Sequence, residues 1–367
     1  MHVLMTADTV GGVWTYTREL VSELIRRGYR VTLVSFGKLP CTYQIAWMQG
    51  LSTLDYRPTP FALEWMQDSA ADIQHSTKYL QQVIAEVQPD LLHFNQFAYG
   101  ALKTDLPKVV VAHSDVVSWW VAVRGEQPPK TDWTKWYRDL VYAGLAGADE
   151  VIAPSRWMMS NVQTHYVQPA RARVVYNGRD PSLFDARSEK HNQVVSVGRV
   201  WDEAKQISLL LERAQTVPVL IVGSQKHPDK ALGEFTAHSV PEEVTFCGQQ
   251  SEQDIQRLFA TSSIYAACSR YEPFGLAPVE AAMSGCAVIA NDTASFRELW
   301  GDSAYYFKTD NAESLAAAIS TLSQDRALRQ QYSQRAYCRA IQNFIAERMV
   351  DAYEEVYGGF LAQESAA

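Results

Sequence analysis

Short apolar runs alternate with longer amphipathic stretches along the first half of the chain. Residues 2–6 read as a strand, a loop with Gly11 and Gly12 follows, an amphipathic helix spans about 14–28, and a second strand covers 30–36. Strand, glycine loop, helix and strand in so short a length form a βαβ unit, and the crossover makes the two strands parallel. Further apolar runs at 91–94, 108–112, 150–153 and 173–176 are separated by segments long enough for helices. The alternation predicts an α/β, doubly wound domain.

A polar stretch over 185–192 interrupts the pattern, and a second series of apolar runs follows at 194–197, 217–222, 243–247, 263–268 and 287–291. Ser251 with Asp254 has the spacing of a capping box, and Asp310 is expected to cap the helix that runs to Leu322. Beyond that helix the chain reads as two more helices and no strand, the second over about 346–357. No repeat of fixed period is visible. Two α/β halves joined by one polar linker predict two Rossmann-like domains facing each other across a cleft.

Composition narrows the function by exclusion. At 367 residues the chain exceeds what one hydrophobic core usually spans. Its formal charge of -8 argues against nucleic acid or an anionic membrane as the main partner, since both need clustered positive charge. Arg26–Arg27 is the longest basic cluster, and Arg171, Arg173 and Arg179 are scattered. No apolar run is long enough to span a bilayer, and the start, MHVLMTADTVGG, does not read as a secretory leader. Five cysteines, odd in number and in no metal-ligand spacing, fit a reducing compartment. A soluble cytoplasmic protein with no integral membrane segment is the expectation, and nothing points to peripheral membrane contact.

The chemistry concentrates in SRYEPFGLAPVEAAMSGCAVIAND, residues 269–292. Pro278 suits a first helical position. Glu280 would then fall in the first turn, either compensating the helix dipole or gripping a ribose diol while neighbouring amides hold phosphate. Glu272 precedes a proline and lies beyond the carboxyl end of the 263–268 strand, where ligands of open α/β sheets bind. It is either a solvated loop acid or a ligand. Arg199 and Lys205 follow the first strand of the second half at the same edge. Two cations and two glutamates at one sheet edge favour a site for a diphosphate flanked by polyhydroxyl groups. In the first half, His113 follows one strand and Gly11–Gly12 another. That loop is not G-x-G-x-x-G, so a nicotinamide cofactor is poorly supported.

These residues carry a resemblance. Glu272 and Glu280, in E-PFGLAPV-E, are similar to the E-x7-E motif of retaining GT-B glycosyltransferases of family 4, the glycogen-synthase-like and phosphatidylinositol-mannosyltransferase-like group. GRV with Lys205, Asn177–Gly178, Pro154–Ser155, His113 and the amino-terminal glycine pair fall in the expected order, so the resemblance covers nearly the whole chain. It implies that Arg199 and Lys205 bind the donor diphosphate, Glu280 the ribose, and Glu272 hydroxyls of the transferred sugar. The amides of Phe274, Gly275 and Leu276 would hold the distal phosphate, with Gly12 approaching it. His113 would contact the sugar, and the loop after Val222 with Gly248 and Gln249 would border the base. Residues 1–186 with about 345–367 would form the acceptor-side domain, the last helix crossing back to it, and 187–344 the donor domain.

The implied reaction moves a hexosyl group from a nucleotide-diphosphate sugar to a hydroxyl acceptor with retention and without a metal or other cofactor, two cations and a helix terminus offsetting the leaving charge. Glu272 is not assigned as a nucleophile. Trp119, Trp120, Trp133 and Trp136 are acceptor-side candidates that ordinary packing would equally explain. The near-balanced charge of residues 63–88 favours a soluble acceptor. A sugar-nucleotide 2-epimerase and a nucleotide-sugar-binding protein without turnover are the alternatives.

Overall fold

The computed structural model describes residues 1–226, 235–236 and 239–364, with side chains through Phe360. The chain divides into two compact units, Met1–Gly178 with Ala346–Ala367, and Arg179–Ile345.

Unit 1 contains β1 (His2–Asp8), α1 (Gly12–Arg26), β2 (Arg30–Phe36), β3 (Leu54–Pro58), α2 (Ala70–Val87), β4 (Leu91–Phe94), β5 (Lys108–Val111), α3 (Val116–Arg124), α4 (Asp132–Gly147), β6 (Glu150–Ala153), α5 (Arg156–His165) and β7 (Ala172–Val174). The strands form one sheet in the order β3-β2-β1-β4-β5-β6-β7, every pairing parallel. Helices cover both faces of such a sheet, so its central strands can be apolar throughout. β1 and β4 are buried at every position.

Unit 2 contains β8 (His191–Val197), β9 (Val219–Val222), β10 (Val244–Gly248), α6 (Glu252–Thr261), β11 (Ser262–Ala267), α7 (Leu276–Met283), β12 (Ala287–Asn291), α8 (Ala294–Trp300), β13 (Tyr305–Phe307), α9 (Ala312–Gln324) and α10 (Arg326–Asn343). Its sheet runs β10-β9-β8-β11-β12-β13, again all parallel. In both sheets the order reverses beside the first strand, between β1 and β4 and between β8 and β11. Crevices at such reversal points, outside the carboxyl ends of the strands, are where open α/β sheets take ligands.

The last helix, α11 (Ala346–Glu364), belongs to unit 1. Met349, Val350, Tyr353, Val356, Tyr357 and Phe360 make one buried stripe packed into the core formed by β1, β2 and α1. Arg27, the residue that caps the end of α1, binds Asp351 at 2.7 Å and also pairs with Glu354. The helix is longer than the periodicity alone indicated. Among the described residues, no helix is long and apolar enough to cross a membrane.

Three local expectations need correction. The unit boundary falls after Gly178 rather than after residue 186, because Arg179 is already tied into unit 2: its N–H donates to Phe344 O at 2.9 Å and it bridges Ile345. Asn311, not Asp310, caps α9, its side chain accepting from Ser314 N at 2.7 Å. Asp310 instead takes a left-handed φ of 57° and receives Gln206 and Arg270 at 2.6 Å each. Pro278 is the third residue of α7, whose cap is Gly275, so Glu280 lies beyond the first turn. A proline is tolerated there because a third-position N–H lacks a helical partner anyway.

Candidate active site

At the reversal point of the unit 2 sheet, the loop after β8 and the loop after β11 meet. Asp202 folds the first loop: its side chain accepts from Ala204 N at 3.0 Å, and its carbonyl accepts from Lys205 N at 2.8 Å. Arg270 N then donates to Ala204 O at 2.8 Å, joining the two loops. The Lys205 stem runs over Gly198, where a Cβ would sit 3.5 Å from it. This route brings Lys205 Nζ to 2.6 Å from Glu272 Oε2, which also accepts from Ser269 Oγ at 2.9 Å. Both charged side chains are mostly buried, 19% and 15% exposed, so the pair is screened less than a surface ion pair.

Arg199 lies at the same edge but does not join that pair. Its guanidinium contacts Asp202 at 2.6 Å and stacks over Trp201 at 5.2 Å, and the side chain is 47% exposed. Gly275 needs its special backbone: φ is 86°, and a Cβ would meet Glu272 Cγ at 3.0 Å and Pro278 Cγ at 3.3 Å. Only glycine lets the chain turn this closely around Glu272 into α7. Phe274 anchors the turn, its buried ring edge-on to Phe344 at 5.3 Å. The backbone of Phe274, Gly275 and Leu276 leads into α7 at the carboxyl end of the sheet, and a helix N-terminus favours anions.

Glu280 pairs elsewhere. Its Oε1 is 2.8 Å from Nε of Arg179, whose Nη2 reaches Glu252 at 2.9 Å. Gly248 closes β10, Gln249 follows in the turn, and Ser251 caps α6 by accepting from Asp254 N at 3.2 Å. The loop after Val222 is described to residue 226, and its continuation over 227–234 and 237–238 lies outside the described residues.

In unit 1, Asp8 ends β1 and accepts from Val10 N at 2.7 Å, and Gly11 takes φ 74° before Gly12 opens α1. His113 follows β5. Asn95, just beyond β4, donates its amide to Thr6 O at 2.7 Å, which turns its Oδ1 toward His113 Nε2 at 2.8 Å. The network thus assigns the proton to Nε2 and the lone pair to Nδ1. Burial, then the neighbouring His93, lowers the His113 pKa to about 3. The ring is neutral across the physiological range.

Beneath it lies a buried aromatic network. Tyr16 of α1 packs edge-on against His113 at 4.5 Å and donates to the Tyr353 hydroxyl at 2.6 Å. His93 joins Tyr16 at 3.2 Å through Nε2 and Tyr357 at 2.7 Å through Nδ1, and burial lowers its pKa to about 3. The final helix therefore reaches the support of His113 through two tyrosines.

The four tryptophans divide between two helices, α3 and α4. Trp119 and Trp120 contact each other edge-on at 6.0 Å on α3. Trp133 stacks on Tyr137 at 5.6 Å and donates to Met66 O at 3.3 Å, and Trp133 and Trp136 pack against the unit 1 core. Packing explains the α4 pair. Sequence reasoning missed Asn95, Ser269 and Arg179 as partners. Asn95 follows an apolar strand in HFNQF, which is a usable signal, whereas nothing local marks Arg179. Among the described residues no cluster of three or more His, Cys, Asp or Glu side chains could hold a metal ion.

Residues 10–183 match the model described as Glycosyltransferase Family 4, and residues 182–339 match Glycosyl transferases group 1. The chain is 27% identical to a phosphatidyl-myo-inositol mannosyltransferase of Mycolicibacterium smegmatis over 63% of this chain and 62% of that protein. It is 23% identical to an O-antigen chain mannosyltransferase of Salmonella typhimurium over 62% of this chain and 64% of that one. The chain thus spans less than two thirds of the length of either relative. The crystal structure of Anabaena HepE in complex with UDP and glucose superposes with a TM-score of 0.74 at 17% identity, covering 98% of this chain and all of that one. At that identity the likeness is one of fold.

Proposed function

Because the chain belongs to glycosyltransferase family 4 and has its GT-B fold, we propose that it moves a hexosyl group from a nucleotide-diphosphate sugar to a hydroxyl acceptor with retention of configuration. One observation carries the reading: the Lys205–Glu272 pair, braced by Ser269, at the reversal point of the unit 2 sheet. A cation and a carboxylate held together there suit a diphosphate bonded to a polyol.

In the proposed reaction the bond from the anomeric carbon to the distal phosphate oxygen breaks. The acceptor oxygen bonds to that carbon on the same face, and the acceptor proton passes to the departing phosphate oxygen. Arg199, Lys205 and the amides of Phe274, Gly275 and Leu276 offset the charge on the leaving diphosphate, a task preorganised donors perform without reorganising. No metal is required in this scheme. Glu272 holds sugar hydroxyls, Glu280 the ribose, Gly248 and Gln249 border the base, and Gly12 approaches the distal phosphate. His113, neutral with its lone pair on Nδ1, accepts from a hydroxyl of the transferred sugar. Five unpaired cysteines, two of them buried, favour a reducing cytoplasm.

A screen of UDP-, GDP-, ADP- and TDP-sugars by thermal shift and slow hydrolysis tests this, since a true donor stabilises the fold by mass action. One sugar nucleotide should raise the melting temperature and release its diphosphate. No stabilisation by any of them overturns the donor reading, and an inverted anomeric proton in the NMR spectrum of the product overturns retention.

A further inference from the structure

Arg179 is the first residue of unit 2 and one of the largest fully buried side chains, with 1% exposure. A buried guanidinium is costly unless carboxylates compensate it. Here two do: Glu280 on α7 at 2.8 Å through Nε, and Glu252 at the start of α6 at 2.9 Å through Nη2. The ring of Phe184 lies under the guanidinium at 5.3 Å. Its backbone is held as firmly, hydrogen-bonded to Phe344 and bridged to Ile345, so the two places where the chain passes between the units are joined at this residue.

The partners of Arg179 are informative. Glu280 is the carboxylate assigned above to the ribose, and Glu252 opens α6 three residues after Gln249, whose turn with Gly248 is assigned to the base. The planar fork of an arginine sets the spacing and angle of two carboxylates in a way that a lysine ammonium does not. Glu280 stays 15% exposed while Arg179 is sealed, so a ligand can reach the carboxylate and not the cation behind it.

We propose that Arg179 is a positioning residue for the nucleoside half of the donor, holding Glu280 at the ribose and fixing α6 and its preceding turn at the base. The proposal rests on the donor reading of the unit 2 site and adds to it. Arg179 touches no substrate in this scheme and acts through Glu280 and, by way of Glu252, through α6. Its contribution is therefore selective: nucleoside recognition depends on it, and diphosphate recognition by Lys205, Arg199 and the α7 amides does not.

The test is calorimetric titration of the full chain with the nucleoside diphosphate of the donor found in the screen, and separately with pyrophosphate. Arg179→Met, Glu280→Gln and the double variant are compared with the parent, and Arg179→Lys serves if the methionine variant does not fold. Leaving Glu280 without its buried cation predicts a nucleoside diphosphate Kd raised about tenfold to a hundredfold in Arg179→Met, with pyrophosphate affinity unchanged. Arg179→Lys, which keeps the charge without the fork, should weaken the nucleoside diphosphate alone in the same way.

In the Glu280→Gln background, the arginine substitution should cost clearly less than in the parent, because the part played through Glu280 is already gone and only the hold on α6 remains. Equal weakening of both ligands means a general structural role and overturns the proposal, as do an unchanged nucleoside diphosphate affinity and full additivity in the double variant. If Glu280→Gln itself binds nucleoside diphosphate like the parent, the ribose assignment falls and takes this inference with it. A weakened Glu280→Gln beside a normal Arg179→Met sinks the inference alone.

Discussion

Lys205 and Glu272 are assigned different partners, the leaving diphosphate and the transferred sugar, yet they touch each other at 2.6 Å. That contact makes a quantitative prediction. Removing one preorganised donor from a site of this kind costs about 10²–10³ in rate, or about 2.7–4 kcal/mol. Lys205→Ala should therefore lower kcat/KM by about that factor and weaken the free nucleoside diphosphate. Glu272→Ala should nearly abolish transfer while leaving diphosphate affinity close to the parent, because its part is played at the sugar.

If the two acted independently, the double variant would lose the product of the two factors. A charge-assisted hydrogen bond contributes about 1.5–3 kcal/mol, so the double variant should fall short of that product by about tenfold to a hundredfold. Ser269 supplies an internal control. Its hydroxyl binds the same Glu272 oxygen at 2.9 Å, so Ser269→Ala should lower the rate by less than either charge removal, since it deletes a neutral donor. The assay is single-turnover kinetics with the identified donor plus calorimetry of its diphosphate, on variants whose melting curves show an intact fold. Rates and affinities equal to the parent in both single variants refute the site. Strict multiplicativity refutes the coupling.

Three further outcomes follow from the structure. His93 and His113, both lowered to about 3 by burial, should show no ring titration by NMR between pH 5 and 8, and His113→Asn should lower turnover without changing the shape of the pH–rate profile over that range. Glu64, buried and accepting from Phe97 N and Ala98 N at 2.9 and 2.8 Å, has its pKa raised to about 7 by desolvation, with a further push from Asp8. A carboxyl raised on folding contributes stability that is present below its unfolded value near pH 4.5 and lost as pH rises through 7, here about 3 kcal/mol. Urea unfolding at pH 5 and pH 8 should show that loss in the parent and not in Glu64→Gln. Exhaustive dialysis against EDTA should leave transfer unchanged, and a loss restored by magnesium or manganese would refute the metal-independent scheme.

Most of the central strands were legible because a parallel sheet buries both faces and writes its strands as apolar runs. β2, β4, β6 and β12 lie where the pattern put them. The edge strands β3 and β13 were not legible. They are short and only partly buried, LDYRP and YYF, so neither an apolar run nor a clean alternation marks them. The helix caps show how close a local rule can come and still miss. TDNAES offers an aspartate and an asparagine side by side, and φ at Asp310 leaves the capping position to its neighbour.

The candidate site divides along the same line. Candidate ligands at strand ends could be picked out from the sequence, because topology alone places the carboxyl end of a strand. What those ligands pair with could not, because it depends on side chains far apart in the chain. Arg179 reads locally as one scattered positive charge after Asn177–Gly178, the kind that is usually solvated. In the fold it is sealed between carboxylates of α6 and α7. This also changes the account of Glu280. A first-turn acid would have been satisfied by the helix dipole, a contribution of about 0.3–1 kcal/mol. Set two positions deeper because α7 starts at Leu276, Glu280 has lost most of that interaction and gained a buried guanidinium instead. The fold therefore keeps a carboxylate where the dipole no longer favours one, and it is a buried cation that compensates it there.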